Sequence, residues 1–245
     1  MNNKSFTRYV LWLGKLLNKN RKSKVIFYHD LHIEGNRFTD MSTQIKNFKA
    51  HVELIRNEGF EIVRTITQES GEIQICFDDG FRGIYDFKEY FIEEKIYPTV
   101  FLAVELINEP AYLTKREILE LQNIGFRFQS HAYTHQKLTS FDNTDLKFEL
   151  EASKIYLEEL LSIPINEICF PIGDFSERVI RACVNAGYKK MYSSIPGNYR
   201  DQDFKNVISR NLVQFYSTNE VRSVLYGGLT PFKNRYKKQH YNLNY

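Results

Sequence analysis

The sequence predicts an α/β protein, a distorted (β/α)7-type barrel with parallel strands and outer helices. Three observations carry that expectation. From about Lys24 onward, short apolar β-rich runs alternate with segments of helical period. Glycines close several of the helical segments, as at Gly59, Gly125 and Gly187, where the chain must turn back toward the next strand. Repeated strand-then-helix order requires parallel strands with the crossovers outside, and about seven such units are enough to close a barrel. Chemistry in such a barrel gathers at the carboxyl ends of the strands.

Taken in order, Phe6, Tyr9, Val10, Leu13, Leu16 and Leu17 form one apolar helical stripe. That stripe either packs on the rest of the protein or, with Trp12 and the basic residues that follow, lies on a membrane surface. Residues 25–28 read as a strand, and 43–57 as a helix with Ile45, Phe48, Val52 and Ile55 on one face. Strands follow at 61–64 and 73–77, a helix at 84–94 and a strongly apolar strand at 98–104. A helix at 115–123 leads to a strand at 126–129, and the longest helix spans 142–161. A strand at 168–170, a helix at 175–186 and short strands at 189–192 and 207–209 complete the series. The chain divides into an amphipathic amino-terminal helix (1–22), a barrel domain (23–215) and a carboxyl-terminal helix with a basic tail (216–245).

Composition narrows the classes. A chain of 245 residues with 42% hydrophobic and 26% charged residues is globular rather than disordered. A net charge of +3 is too small to point to nucleic acid. The basic residues do cluster, at Lys15, Lys19, Arg21, Lys22 and Lys24 and again at Lys233, Arg235, Lys237 and Lys238. Cys76, Cys169 and Cys183 have no CxxC spacing, so neither a disulfide framework nor a zinc ribbon is expected. Arg8 and Lys15 interrupt the first apolar segment, and no run approaches the roughly 20 apolar residues of a spanning helix. These features favour a reduced, cytoplasmic compartment.

Three polar constellations follow apolar strands. Asp78 and Asp79 are adjacent at the end of 73–77, where Gly80 permits a sharp turn. A cation would offset the charge of one carboxylate and leave the other as a base, although Asp-Asp-Gly is also an ordinary turn. His131 and His135 follow 126–129 at a spacing that faces one way on a helical turn. With one carboxylate they make a two-histidine set that suits Zn2+ and also accepts Co2+, Ni2+ or Fe2+. Phe170, Pro171, Ile172 and Gly173 form a strand-to-helix loop whose backbone N–H groups can face a developing oxyanion, or a plain loop with Asp174 as helix cap.

In this order and spacing, the three motifs resemble the polysaccharide deacetylases, the NodB homology domain of carbohydrate esterase family 4. Cys76 to Gly80, Ser130 to His135 and Phe170 to Gly173 match its first three motifs, within a likeness running over about residues 24–215. The resemblance implies Asp78 as catalytic base and Asp79, His131 and His135 as ligands of a divalent metal. The arginine that many members carry in the third motif is replaced by Cys169, and Arg210 is the candidate to support the base instead. The family's late histidine acid is missing, and the only histidine after His135 is His240 in the basic tail. Tyr28-His29 on the first strand is similar to the branch acting on poly-β-1,6-N-acetylglucosamine, which implies His29 as the general acid, with His32 as the local alternative.

The resemblance further implies hydrolysis of an N-acetyl or similar acyl group on a sugar used in cell-surface glycan metabolism. A nucleotide- or lipid-linked sugar met at the inner membrane face is the expected substrate, with peripheral membrane contact through residues 5–24. An inactive glycan-binding barrel and an amidohydrolase of a non-sugar amide are the alternatives.

Overall fold

The protein is described by a computed structural model over residues 3–35, 37–201 and 203–242. Strands β1 (Lys24–Tyr28), β2 (Glu72–Phe77), β3 (Thr99–Leu102), β4 (Arg127–Ser130), β5 (Glu167–Cys169) and β6 (Lys190–Tyr192) lie side by side. The segment 207–212 nearly closes the ring, because its first part pairs with the last strand and its second with the first. There β7 (Val207–Ile208) pairs with β6, and β8 (Arg210–Leu212) pairs with β1. All these pairings are parallel. A short strand, Glu61–Val63, adds to β2, and Asp30–His32 pairs with Ser42–Gln44 beyond the end of β1.

Strand alternation sorts the side chains into two layers. Val25, Phe27, Cys76, Phe101, Cys169 and Tyr192 fill the barrel interior. Their neighbours Ile26, Tyr28, Ile75, Phe77, Val100 and Ile168 face the outer helices. The amino-terminal end of the interior is polar: Arg127 lies 3.0 Å from Glu167, which also accepts from the Tyr192 hydroxyl at 3.0 Å.

The helices are α1 (Asn3–Leu17), α2 (Ile45–Asn57), α3 (Gly83–Asp86), α4 (Lys88–Glu93), α5 (Lys115–Ile124), α6 (Asn143–Leu161), α7 (Glu177–Asn185), α8 (Thr218–Leu225) and α9 (Lys233–His240). Local chemistry sets their starts. Thr114 and Glu117 form a capping box on α5, and Asp142 accepts from two N–H groups of α6. Ser176, rather than Asp174, caps α7. Asp174 instead accepts a hydrogen bond from the Thr139 hydroxyl.

Several expectations need correction. The helix expected over 43–57 begins at Ile45, because residues 42–44 pair as a strand. The helix expected over 84–94 breaks at Phe87, whose φ of −109° and ψ of 20° leave the helical region. Only part of the apolar stripe of α1 packs: Val10 and Leu13 are half-buried. Leu11 is fully buried, while Tyr9, Trp12, Leu16 and Leu17 are exposed; the side chain of Phe6 lies outside the described residues. The cause is Gly14, where a Cβ would stand 2.5 Å from the Gly228 carbonyl oxygen. Close backbone approach at Gly14 sets the rotation of the helix on α8 and its following turn.

His51 on α2 ties two elements together. Its Nε2 donates to the Tyr216 carbonyl at 2.9 Å, and its Nδ1 accepts from the Tyr28 hydroxyl at 3.0 Å. Burial pushes this imidazole down to about 4, against the raising effect of the Tyr216 carbonyl. Unfolding therefore takes up a proton between about pH 6.5 and 4, and stability falls as pH falls through that window. Urea unfolding at pH 7 and pH 4.5 should show the wild type losing about 2 kcal/mol more than His51→Gln. Parallel losses in the two proteins would contradict this assignment.

Candidate metal centre at the barrel rim

Asp78 and Asp79 leave the end of β2 in different directions. The Asp78 N–H still donates to the Tyr28 carbonyl at 3.0 Å, continuing the strand and directing its side chain into the barrel. Asp79 and Gly80 then take φ values of 70° and 81°, which turns the chain across the rim. A Cβ on Gly80 would lie 2.6 Å from Leu102 Cδ2, so the turn needs glycine for space as well as for conformation.

Inside the barrel Asp78 meets Arg210 in a bidentate pair, Oδ1 to Nη1 at 2.6 Å and Oδ2 to Nη2 at 2.8 Å. Arg210 has no solvent exposure. Its Nε donates to the Ser193 carbonyl at 3.0 Å, Nη2 lies 2.9 Å from Cys169 Sγ, and its plane sits 4.1 Å from the Phe27 ring centroid. Burial alone would raise the Asp78 carboxyl, but the guanidinium outweighs it and holds the group below its ordinary range. The same pairing raises Arg210 against its own burial. Asp78 therefore stays ionised in a closed apolar setting.

Asp79 points to the histidines. Its Oδ1 lies 3.2 Å from His131 Nε2 and 3.0 Å from His135 Nε2. Those contacts do not align as hydrogen bonds, so Oδ1 is a buried oxygen without a proton donor. His131 Nδ1 donates to the Cys169 carbonyl at 2.8 Å, which leaves Nε2 with its lone pair aimed at the same point. Asp79 Oδ1 and the two Nε2 atoms thus converge on one point, and the set fits a divalent cation. A second combination, Asp78, His131 and Cys169, is also close enough. It fits less well, because Arg210 occupies both Asp78 oxygens and burial raises the Cys169 thiol well above its usual value.

The two histidines do not share a helical turn, as their spacing suggested. They converge because Ala132 and His135 take left-handed backbone angles, φ 63° and 62°. Glu149 of α6, itself buried, fixes that loop: its carboxylate accepts from the N–H groups of Tyr133 and Thr134 at 3.0 Å each and from the Thr134 hydroxyl at 2.7 Å. Sequence reasoning missed Glu149. The signal was an acid on the buried stripe of α6, next to Leu150 and between Leu146 and Ser153.

The cleft above these groups has a volume of about 410 Å3. His29 and Met41 line one side, Phe170, Ile172 and Gly173 another, and Tyr236 and His240 a third. Phe170 is locked by stacking on Phe175, with ring centroids 4.6 Å apart. Ile172 adopts φ 59°, a costly conformation for a β-branched residue. His29 reaches the cleft, and its Nδ1 lies 2.8 Å from Gln214 Oε1. His32 does not; it turns away to Ser42 Oγ at 2.7 Å. His240 is no free tail residue: its carbonyl accepts from the Phe175 N–H at 3.0 Å, the Asn242 N–H donates to the Phe175 carbonyl at 2.8 Å, and it packs beside Gly173. A larger cavity of about 720 Å3 beside Lys189, Tyr199 and Lys205 lies at the opposite rim, away from these acids and histidines.

A seven-unit parallel barrel with its acids and histidines at the carboxyl rim is therefore the class that fold and cleft define. Residues 65–191 match the Polysaccharide deacetylase family, and the chain belongs to it. The matched span holds Asp78, Asp79, His131, His135 and the Phe170–Gly173 loop, but not His29 or Arg210. Among curated proteins it is similar to Bacillus subtilis YxkH, named for polysaccharide deacetylase, at 23% identity over 194 residues, covering 73% of this chain and 67% of YxkH. Among solved structures, a polysaccharide deacetylase from Bacillus cereus superposes with a TM-score of 0.73 at 22% identity, covering 83% of this chain and 69% of that one. The Streptococcus pyogenes deacetylase PplD, solved with acetate, gives 0.74 at 17% identity over 83% and 98% of the two chains. IcaB from Ammonifex degensii gives 0.71 at 14% identity over 86% and 98%. At these identities the structures speak to the fold.

Replacing Arg210 with Met in the metal-free protein leaves the Asp78 carboxylate buried without its partner. Urea unfolding at neutral pH should show a loss of about 3–5 kcal/mol. A loss below about 1 kcal/mol would mean that the pair does not hold the barrel together.

Proposed function

We propose that this protein is a metal-dependent hydrolase that removes an N-acetyl or similar acyl group from a sugar in cell-surface glycan metabolism. One observation carries the proposal: Asp79 Oδ1 and the Nε2 atoms of His131 and His135 converge beside a second carboxylate that Arg210 keeps ionised. Binding a sugar would need no such spare base. Family membership supports the deacylation of a carbohydrate. The C–N bond and the metal, Zn2+ in first place with Co2+, Ni2+ or Fe2+ as alternatives, are part of the proposal. Residues 23–215 are read as the catalytic unit.

Asp79, His131 and His135 would hold a divalent ion, which would supply Lewis-acid polarisation of the acyl carbonyl and make an attacking water more acidic. The remaining roles belong to the chain. Asp78 takes the proton from that water through the lone pair of Oδ1 that Arg210 does not use, since Oδ2 accepts from both Arg210 and the Cys169 thiol. The backbone of the Phe170, Pro171, Ile172 and Gly173 loop faces the developing oxyanion, held there by the left-handed angle at Ile172. His29, across the cleft, delivers a proton to the departing amine. Tyr28-His29 on the first strand and the arginine-free third motif support a place near the poly-β-1,6-N-acetylglucosamine branch.

Asp78→Asn should lower acetate release from N-acetylglucosamine oligosaccharides by about 10²–10⁴-fold while bound zinc is retained. His131→Ala or His135→Ala should lose the zinc itself, read by elemental analysis. Full deacylation by Asp78→Asn, with zinc or cobalt added, contradicts the mechanism.

The substrate is read as a nucleotide- or lipid-linked sugar at the inner membrane face. Residues 3–24 contain no Asp or Glu, and Tyr9, Trp12, Leu16 and Leu17 stand exposed on α1, a combination suited to the anionic cytoplasmic leaflet. Trp12 is the sole tryptophan, so its fluorescence should shift to the blue on vesicles containing phosphatidylserine and stay unchanged on neutral ones. Leu16→Ser with Leu17→Ser should weaken that binding about 10-fold. An unshifted spectrum on anionic vesicles, or a strictly exported protein on fractionation, defeats this placement.

A further inference from the structure

We propose that Gln214 is a positioning residue for the proton-delivering half of the reaction, setting which nitrogen of His29 faces the cleft. This rests on the reading above in which His29 protonates the leaving amine. Gln214 follows β8, is 5% exposed, and lies outside the matched family span. Its Oε1 stands 2.8 Å from His29 Nδ1.

The direction of the amide follows from its other end. Gln214 Nε2 lies 3.5 Å from Met41 Sδ, a weak acceptor. A flipped amide would set its oxygen against the sulfur, two acceptors in contact, and would give up that interaction. The carbonyl end therefore faces His29 and accepts a proton from Nδ1. The ring is held with Nε2 open to the cleft, so the proton delivered to the leaving group is the Nε2 proton of the imidazolium, and the Nδ1–H tautomer remains on Gln214 afterwards. The backbone also anchors position 214, because the Thr43 hydroxyl donates to its carbonyl at 3.1 Å.

The choice of an amide has an electrostatic sense. A carboxylate would orient the ring equally well, but the cleft already holds Asp78 and Asp79. Gln214 orients His29 without a third negative charge beside a site that must gather electron density on an oxyanion. Phe27 supports the ring from the barrel side, with centroids 5.8 Å apart.

The test uses the full chain loaded with zinc and two substrates. An N-acetylglucosamine oligosaccharide has a poor amine leaving group that needs a proton. In 4-nitrophenyl acetate the phenolate departs without one, so its Asp78-dependent hydrolysis reports the rest of the site. Gln214→Leu should lower kcat on the oligosaccharide by about 10–100-fold and on the ester by no more than about 3-fold. Gln214→Glu, which still accepts from Nδ1, should recover most of the oligosaccharide activity. In the metal-free protein, 15N NMR of His29 should show the Nδ1–H tautomer in wild type and a mixture in Gln214→Leu. Equal losses on both substrates, no loss on either, or an unchanged tautomer overturns the inference. A wild-type chain inactive on every N-acetyl sugar, by contrast, overturns the reading of His29 and its reaction, and the inference with it.

Discussion

The bidentate pair between Arg210 and Asp78 sits where the barrel closes and where its chemistry begins. Arg210 comes from β8, Asp78 from the end of β2, and β1 runs between those strands. Each charge is buried among aromatic and sulfur-bearing side chains that cannot solvate it, so neither is tolerable alone. Together they satisfy one another, with the Ser193 carbonyl taking the remaining Nε proton. The same pair thus closes the ring and keeps the base ionised once it is buried.

The rim above that pair is made of backbone conformations that side chains ordinarily avoid. Asp79, Ala132, His135 and Ile172 all take positive φ, and each such residue costs on the order of 1–3 kcal/mol. Buried hydrogen bonds offset those costs. Glu149 holds the histidine loop from α6, and stacking of Phe170 on Phe175 holds the Ile172 loop. Glu149 and Phe175 thus hold the rim from one layer behind it and do not line the cleft themselves.

The carboxyl-terminal segment belongs to the same architecture. Lys233 pairs with Asp201 and Asp203, Lys237 pairs with Asp203, and Tyr241 packs on Phe175 and Phe204. These contacts turn a strongly basic helix into a wall of the cleft. The Lys233 and Lys237 charges are neutralised by acids that lie far away in sequence, and His240 arrives beside Gly173 through that docking.

Much of this was legible in the chain itself. Alternation of period 2 and period 3.6 specified the strands, most of the helices and the parallel barrel, because burial on two faces or one leaves a direct imprint on residue order. Asp78, Asp79, His131 and His135 were legible for the same local reason, since strand ends in such a fold face one rim. What the sequence could not carry was direction and distance. That His131 and His135 meet through left-handed turns and not a helix, that α1 packs through Gly14, and that Gln214 and His240 reach the cleft all depend on long-range contacts. Arg210 was a candidate in sequence, but only the closed barrel brings it within 2.6 Å of Asp78 across a sequence separation of 132, because only there is a buried charge left with a single partner.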